Sequence, residues 1–415
     1  MISYKKSLTI LNKNKIKIRN ESVISENSLN RVSAENVYSK YNYPSGNNSA
    51  FDGYAIKSSE TNKASKNKKI KFKILRTIAA GQNPKSKNEK FSCVEIMTGA
   101  ILPKQFNTII PIESSKFVNL NNKKYLLIEK KIKKNEHVRF LGSDYKKNQL
   151  IISKGELINS SHILAFKTLG LKKVLVKRKP NILFYSTGNE LSNNVNIKNW
   201  MVRNSNNFYL KSLSDNFLFN YFYGGILRDS NEKKLFNSIK KNFHSKFDII
   251  VTSGAVSAGK FDFVPNVVKK FKPNAIFKGV KIRPGKPILF CNYKNKNKSF
   301  FGLPGNPISS AACFRFFVFP YLQKILGLKL EKPFFAKLKN NFEKKKNFTR
   351  FVKAKLTLSK NSKLTVEILK GQESFRIKSF INANSWGSFL PGKSKFKKGD
   401  IIDCFPANFS NKNFY

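Results

Sequence analysis

Apolar and polar positions fall into three regimes along the chain. The first 40 or so residues are polar, with one amphipathic stretch, SENSLNRVSAENVYSKY, that predicts a short helix capped by Ser25 or Asn27. From about 70 to 135, short alternating or β-branched runs (IKFKILRTI, FSCVEIMTG, NTIIPIE, KYLLIEKKI) are separated by Gly, Pro and Asn clusters, which predicts a small β domain. The following segment, HVRFLGSDYKKNQLIISKGELINSSHILAFKTLG, mixes turn, strand and helix and is expected to return to the first segment. From about 174 to 325 strands such as VLVKR, NILFYST, FYGGILR and FDIIVTS alternate with helices such as NEKKLFNSIKKNF and ISSAACFRFFVFPYLQKIL. That order implies a parallel sheet covered on both faces, a doubly wound α/β domain whose ligand sits where loops leave the carboxyl ends of the strands. Beyond about 330, alternation returns (RFVKAKLTL, KLTVEIL, IIDCF) and predicts a small β barrel.

Composition changes this picture only in part. A chain of 415 residues with 40% apolar content and 38 Phe can bury several cores, so wholesale disorder is excluded. The charge is extreme, with 79 Lys+Arg against 24 Asp+Glu and a formal net charge of +55. Such a balance ordinarily points to nucleic acid. Here only 11 of the cations are Arg, the residue suited to bidentate base and phosphate recognition, and Lys, Asn, Ile and Phe all have A/T-rich codons. We therefore read most of the charge as genome composition, a reading that a balanced G+C content in the source genome would sink. No apolar run is long enough to span a bilayer, and the N-terminal residues lack the apolar core of a signal peptide. Cys93, Cys291, Cys313 and Cys404 match no metal or redox motif, as expected of reduced thiols in cytoplasm. His137, His162 and His244 are scattered and read as structural, which counts against zinc and His-based catalysis.

Candidate chemistry lies in four loops of the α/β region: STGNEL (186–191), TSGAVSAGKFDFV (252–264), IRPGKP (282–287) and LPGNP (303–307). In the second, Gly254 and Gly259 let successive amides face one point ahead of a helix N-terminus, a plausible phosphate cradle. A tight strand–helix turn explains the same residues as well, and Asn306 and Pro307 in LPGNP read equally as helix cap and first turn. Arg283 and Lys286 flank a Pro-Gly turn that would aim two cations at one anionic group. Acids are scarce, yet Asp52, Asp144, Glu190, Asp229 and Asp262 all adjoin turns. Cation-rich surroundings keep carboxylates ionised, and so able to hold a hard metal such as Mg2+.

The segments NNSAFDGYA (47–55), EIMTGAILP (95–103), GSDY (142–145), STGNEL, SGAVSAGKFDFV, IRPGKP and LPGNP occur in the order and spacing of the molybdopterin molybdenumtransferase (MoeA) family, related to the E domain of gephyrin. GQESFRIKSFINANSWGSFLPGKSKFKKGD (371–400) resembles that family's end domain. The resemblance spans essentially the whole chain. It implies a multidomain α/β plus β fold in four parts. Residues 1–40 and 139–173 form an elongated linker domain in two segments, and 41–138 a small β domain carrying DGYA. Residues 174–327 form a doubly wound, MoaB/Mog-like α/β domain that binds molybdopterin, and 328–415 the C-terminal barrel.

The resemblance further implies a Mg2+-dependent transferase that inserts molybdate into adenylylated molybdopterin with release of AMP. It implies a homodimer with its active site between the α/β domain of one subunit and the DGYA region of the other, and a molybdopterin adenylyltransferase as a further partner. Motif by motif, Asp52, Asp144, Glu190, Asp262 and Lys286 carry over as catalytic, with Glu190 and Asp262 also holding the metal. Thr187, Gly188, Asp229, Ser253, Gly254, Ser257, Gly259, Arg283, Pro284, Gly285 and Ser374 carry over as substrate-binding. Two positions depart from the family: Asn189 replaces an acid, which could weaken metal binding, and Ala255 replaces a glycine in the cradle. Two alternatives stay open: a molybdopterin adenylyltransferase sharing the α/β domain, against which the extra domains and DGYA argue, and an inactive basic scaffold that binds nucleic acid.

Overall fold

The computed structural model describes residues 1–214, 218–228, 232–256, 263–358 and 363–407. A helix at Tyr4–Lys13 opens the chain, capped where Lys6 N–H donates to Ser3 Oγ at 3.2 Å, and it buries Leu11 against the α/β layer. The helix expected from Ser25 does not form. Asn20–Ile24 is instead a strand paired antiparallel with Lys173–Lys177, and only a single 3-10 turn, Ser25–Ser28, follows. Asn30 has φ 59°, which a right-handed helix cannot continue, and Val32, Ala34 and Val37 are buried along extended backbone. The pairing also draws VLVKR away from the doubly wound sheet and toward the first segment.

The small β unit is one six-stranded sheet in the order Thr108–Pro111, Gly53–Ile56, Ser92–Ile96, Ile70–Ile78, Lys123–Ile128, Lys116–Leu120. DGYA enters this sheet as the second strand, packed between Thr108–Pro111 and Ser92–Ile96. A Cβ on Gly53 would stand 2.0 Å from the Ile110 carbonyl oxygen, so only glycine fits there.

The α/β sheet runs Asn220–Leu227, Asn181–Thr187, Ile249–Ser253, Lys298–Leu303, Leu289–Tyr293, Ala275–Lys278. The first four strands are parallel, as the alternation predicts, and the last two are antiparallel. The reason is local: Leu289–Tyr293 and Lys298–Leu303 are joined by a short turn with Asn297 at φ 52°, and so tight a connection makes neighbouring strands antiparallel. The C-terminal strands close into a five-stranded barrel, with Thr349–Leu358 pairing with both Leu364–Ile368 and Ser385–Phe389.

Barrel and α/β layer share one aromatic core. Phe316 stacks on Phe351 at 3.7 Å between ring centroids. Beside them Arg315, in a π-helical stretch Phe314–Val318, is buried among Phe316, Phe319 and Phe405. Its guanidinium donates to the Pro406 carbonyl at 3.0 Å and pairs with Glu331 at 2.5 Å, which satisfies a charge whose burial alone would be costly. Burial lowers its pKa, against the opposing pull of Glu331.

Candidate functional site

Parallel strands end side by side, so the loops that follow them converge. Those after Asn181–Thr187, Ile249–Ser253 and Lys298–Leu303 line one cleft of about 490 Å³, together with the residues around the start of the helix Ser205–Ser214. Hydrogen bonds tie its walls. Thr187 Oγ1 donates to the Ser253 carbonyl at 2.9 Å, Asn206 Nδ2 donates to Ser253 Oγ at 2.7 Å and to the Gly305 carbonyl at 2.8 Å, and Gly254 N–H donates to the Leu303 carbonyl at 2.8 Å. Ser186 Oγ donates to Asn204 Oδ1 at 2.6 Å, and Asn204 in turn donates to the Tyr223 hydroxyl. Two glycines are required here. A Cβ on Gly254, at φ 103°, would meet the Thr187 carbonyl at 2.3 Å, and one on Gly188, at φ 147°, would meet the Glu190 carboxylate at 2.5 Å. Glu190 thus folds over Gly188 at the cleft's exposed edge. Ala255 has φ 50°, so the departure from glycine falls on a backbone conformation that favours glycine.

A second cleft of about 680 Å³ adjoins the first across Pro287 and lies between the α/β domain and the barrel. Its cations arrive by strand pairing: Ile282–Arg283 adds to the barrel sheet in parallel with Thr349–Arg350, which sets Arg283 directly beside Arg350. Lys286, Lys344 and Lys345 join them on the lining, with Glu343 and Glu373 the acids present. Burial, and then the Arg283 charge, push the Arg350 guanidinium down to about 10, while Glu373 opposes. Ser374 joins the two clefts. Its Oγ accepts from Asn306 Nδ2 at 2.9 Å and its carbonyl accepts from Ile308 N–H at 3.1 Å.

The structure therefore gathers Thr187, Gly188, Glu190, Ser253 and Gly254 into the first cleft, and Arg283, Pro284, Gly285, Lys286 and Ser374 into the second. Asp52 and Asp144 line neither. Asp52 is exposed on the small β unit, where its carboxylate accepts from Thr98 N–H and Oγ1, both at 2.7 Å. Those bonds, the backbone one foremost, hold its pKa below the ordinary carboxylate value. Asp144 is exposed in the turn where its N–H donates to the Tyr43 carbonyl at 3.1 Å. Asp229, Ser257, Gly259 and Asp262 lie outside the described residues. Among the described residues no group of three or more His, Cys, Asp or Glu could hold a metal ion, and His162 serves as a helix-capping residue.

Sequence reading missed Asn204, Asn206, Arg228 and Arg350. Arg228 donates from one Nη to the carbonyls of Gly188, Asn189 and Leu191, at 3.2, 2.6 and 2.9 Å, and so clamps the STGNEL loop from the neighbouring strand. With only 11 Arg among 79 cations, Arg228 at a strand's carboxyl end was itself a usable signal. Nothing local to Arg350 marked it, because its role depends on the strand it pairs with.

This combination defines a class: a multidomain protein whose doubly wound domain presents a strand-end cleft, adjoined by a cation-lined cleft against the barrel. Three family descriptions match in order: MoeA N-terminal region (domain I and II) over residues 2–170, probable molybdopterin binding domain over 184–324, and MoeA C-terminal region (domain IV) over 336–406. A molybdopterin molybdenumtransferase from Staphylococcus epidermidis is 30% identical over 408 residues, covering 97% of this chain and 94% of its own. One from Staphylococcus aureus is 30% identical over 384 residues, covering 91% and 89%. A crystal structure of a molybdopterin biosynthesis MoeA protein from Pyrococcus horikosii superposes with TM-score 0.83 at 27% identity, covering 98% of this chain and 99% of that one. The chain belongs to the molybdopterin molybdenumtransferase (MoeA) family.

Proposed function

We propose that this chain inserts molybdate into the dithiolene of adenylylated molybdopterin and releases AMP, within molybdenum cofactor biosynthesis. The supporting observation is the pairing of unlike clefts across Pro287. A nucleotide-bearing ligand suits the first, which offers amides, hydroxyls and amide side chains, and a compact oxyanion suits the cationic second. In the reaction one molybdate oxygen leaves as water with the two dithiolene protons while two Mo–S bonds form, with no change of oxidation state. That water cleaves the phosphoanhydride, and AMP departs.

In this reading Thr187, Ser253 and Gly254 hold the phosphate linkage, with Gly188 and Pro284–Gly285 shaping the two turns. Asp229, Ser257 and Gly259 lie outside the described residues. Arg283, Arg350 and Lys286 receive molybdate. An anion placed between the two guanidinium groups relieves their mutual repulsion, and fixed cations stabilise charge developing on the displaced phosphate. Mg2+ suits Glu190, a hard oxygen donor at the cleft edge, because that ion commonly takes one or two carboxylates together with substrate phosphates. Asp262, the other acid carried over for the metal, lies outside the described residues, and a bound ion would neutralise phosphate charge.

Asp52, kept ionised by Thr98, acts on the clefts of a second copy, with Asp144 beside the same interface. Exposed Ile24, Leu29 and Tyr38 on the first segment and Leu164 on the second support a homodimer, because exposed apolar side chains ask for cover. Among the described residues no helix is long and apolar enough to cross a membrane. We place the enzyme in the cytoplasm, supplied by an adenylyltransferase. The test supplies adenylylated molybdopterin, Mg2+ and molybdate, and follows AMP release together with protein-bound molybdenum. Both are expected; absence of molybdate-triggered AMP release sinks the reading.

A further inference from the structure

Lysine is common on this surface, yet Lys353 is buried to 1% exposure on the barrel strand Thr349–Leu358. Its ammonium donates to three carbonyls of one loop: Gly371 at 2.6 Å, Glu373 at 3.2 Å and Arg376 at 2.9 Å. The same residue's backbone is clasped by Gln372, whose Oε1 accepts from Lys353 N–H at 2.9 Å and whose Nε2 donates to the Lys353 carbonyl at 2.8 Å. An ammonium has three donor protons, and here three carbonyls face it. The loop so held carries Glu373 and Ser374 onto the cationic cleft, and through Ser374 it reaches Asn306 and Ile308 on the nucleotide side. It also meets Arg350, which donates to the Gln372 carbonyl at 3.4 Å.

We infer that Lys353 is a positioning residue that fixes the 371–376 loop, and through it the distance and angle between the oxyanion cleft and the nucleotide cleft. The inference rests on the proposed assignment of molybdate to the cationic cleft. Lys353 itself touches no substrate; it acts through Ser374 and Arg350. The charged groups facing its ammonium are Glu373 and Arg376 from the loop and Arg350 from its own strand. Burial pushes the ammonium down to about 8, with Glu373 opposing and the two arginines adding. Loss of the proton removes one of three donors, so the loop loosens as pH rises through about 8.

Two measurements decide. Hydrogen exchange in the unmodified protein, corrected for the intrinsic pH dependence, is expected to show amides 371–376 losing protection between pH 7 and 9.5 while 281–287 keep theirs. In the molybdate-triggered AMP assay, Lys353→Met is expected to raise the molybdate KM about 10–100-fold, as misplacement near 1 Å does elsewhere, and to leave AMP affinity unchanged. Lys353→Arg, charged at every pH used, is expected to restore the KM to within a few-fold and to flatten the alkaline fall in kcat/KM. Unchanged loop protection across pH 8 overturns the inference, whether or not Lys353→Met folds. So does an unmodified molybdate KM in Lys353→Met, or an identical alkaline limb in Lys353→Arg. Failure of the parent protein to release AMP sinks the functional reading instead, and leaves the exchange result to judge Lys353 alone.

Discussion

The two clefts are neighbours built on opposite terms. The first cleft comes from one domain, and hydrogen-bonded amides and hydroxyls tie its walls, with Glu190 and Arg203 also on the lining. The cationic cleft exists only because two domains meet: Arg283 comes from the α/β chain segment and Arg350 from the barrel, joined by a two-residue strand pairing. A cleft lined mostly by amides and hydroxyls can recognise shape and hydrogen-bonding pattern, whereas like charges set side by side favour a compact anion. The first should therefore respond to backbone changes and the second to charge and salt.

The largest expected effect would show that neither cleft suffices alone. Asp52→Ala, remote from both within the chain, should lower AMP release by about 10²–10³-fold while circular dichroism and AMP affinity stay unchanged. Mixing it with an inactive Glu190→Gln partner should recover up to about a quarter of the activity, the share of intact sites in a randomly mixed dimer. No recovery would argue against action across an interface. Because its pKa lies below the ordinary carboxylate value, Asp52 is ionised at pH 6, so an acidic activity limb near pH 6 must belong to another group.

Next comes Gly254→Ala, which forces a Cβ toward the Thr187 carbonyl at 2.3 Å and should cost about 1–3 kcal/mol of stability together with AMP binding. Calorimetry and urea titration read both. Arg350→Met should raise the molybdate KM about tenfold and reduce its salt dependence, with AMP affinity unaffected; equal losses for both ligands would erase the distinction between the clefts. The smallest effect is a gain. Ala255→Gly should stabilise the protein by up to about 1 kcal/mol in urea unfolding, since the residue already sits at φ 50°.

What the chain disclosed on paper follows the range of the interactions. Strand-end loops are local, so STGNEL, the start of SGAVSAG and LPGNP could be read as strand-end turns, and the required glycines at 188 and 254 stand where the motifs put them. Partnerships across long separations could not be read. The stretch after Ser25 has helical spacing, and only the bridge from Ser33 to Val176, with Ala34 N–H donating to the Leu175 carbonyl, reveals why it is extended instead. Arg350 looked like one cation among many until its pairing with Arg283 was seen. Lys353 was hidden by composition, because in a chain so rich in lysine a buried one carries no mark in the sequence.

The aromatic core shared by the barrel and the α/β layer has a consequence in time. Phe316 stacked on Phe351, with Arg315 reaching Pro406, leaves no hinge between the two walls of the cationic cleft. Arg283 and Arg350 are thus brought side by side when the chain folds, once in the life of each molecule. The small β sheet packs around two apolar clusters of its own, so the position of Asp52 is set apart from that shared core.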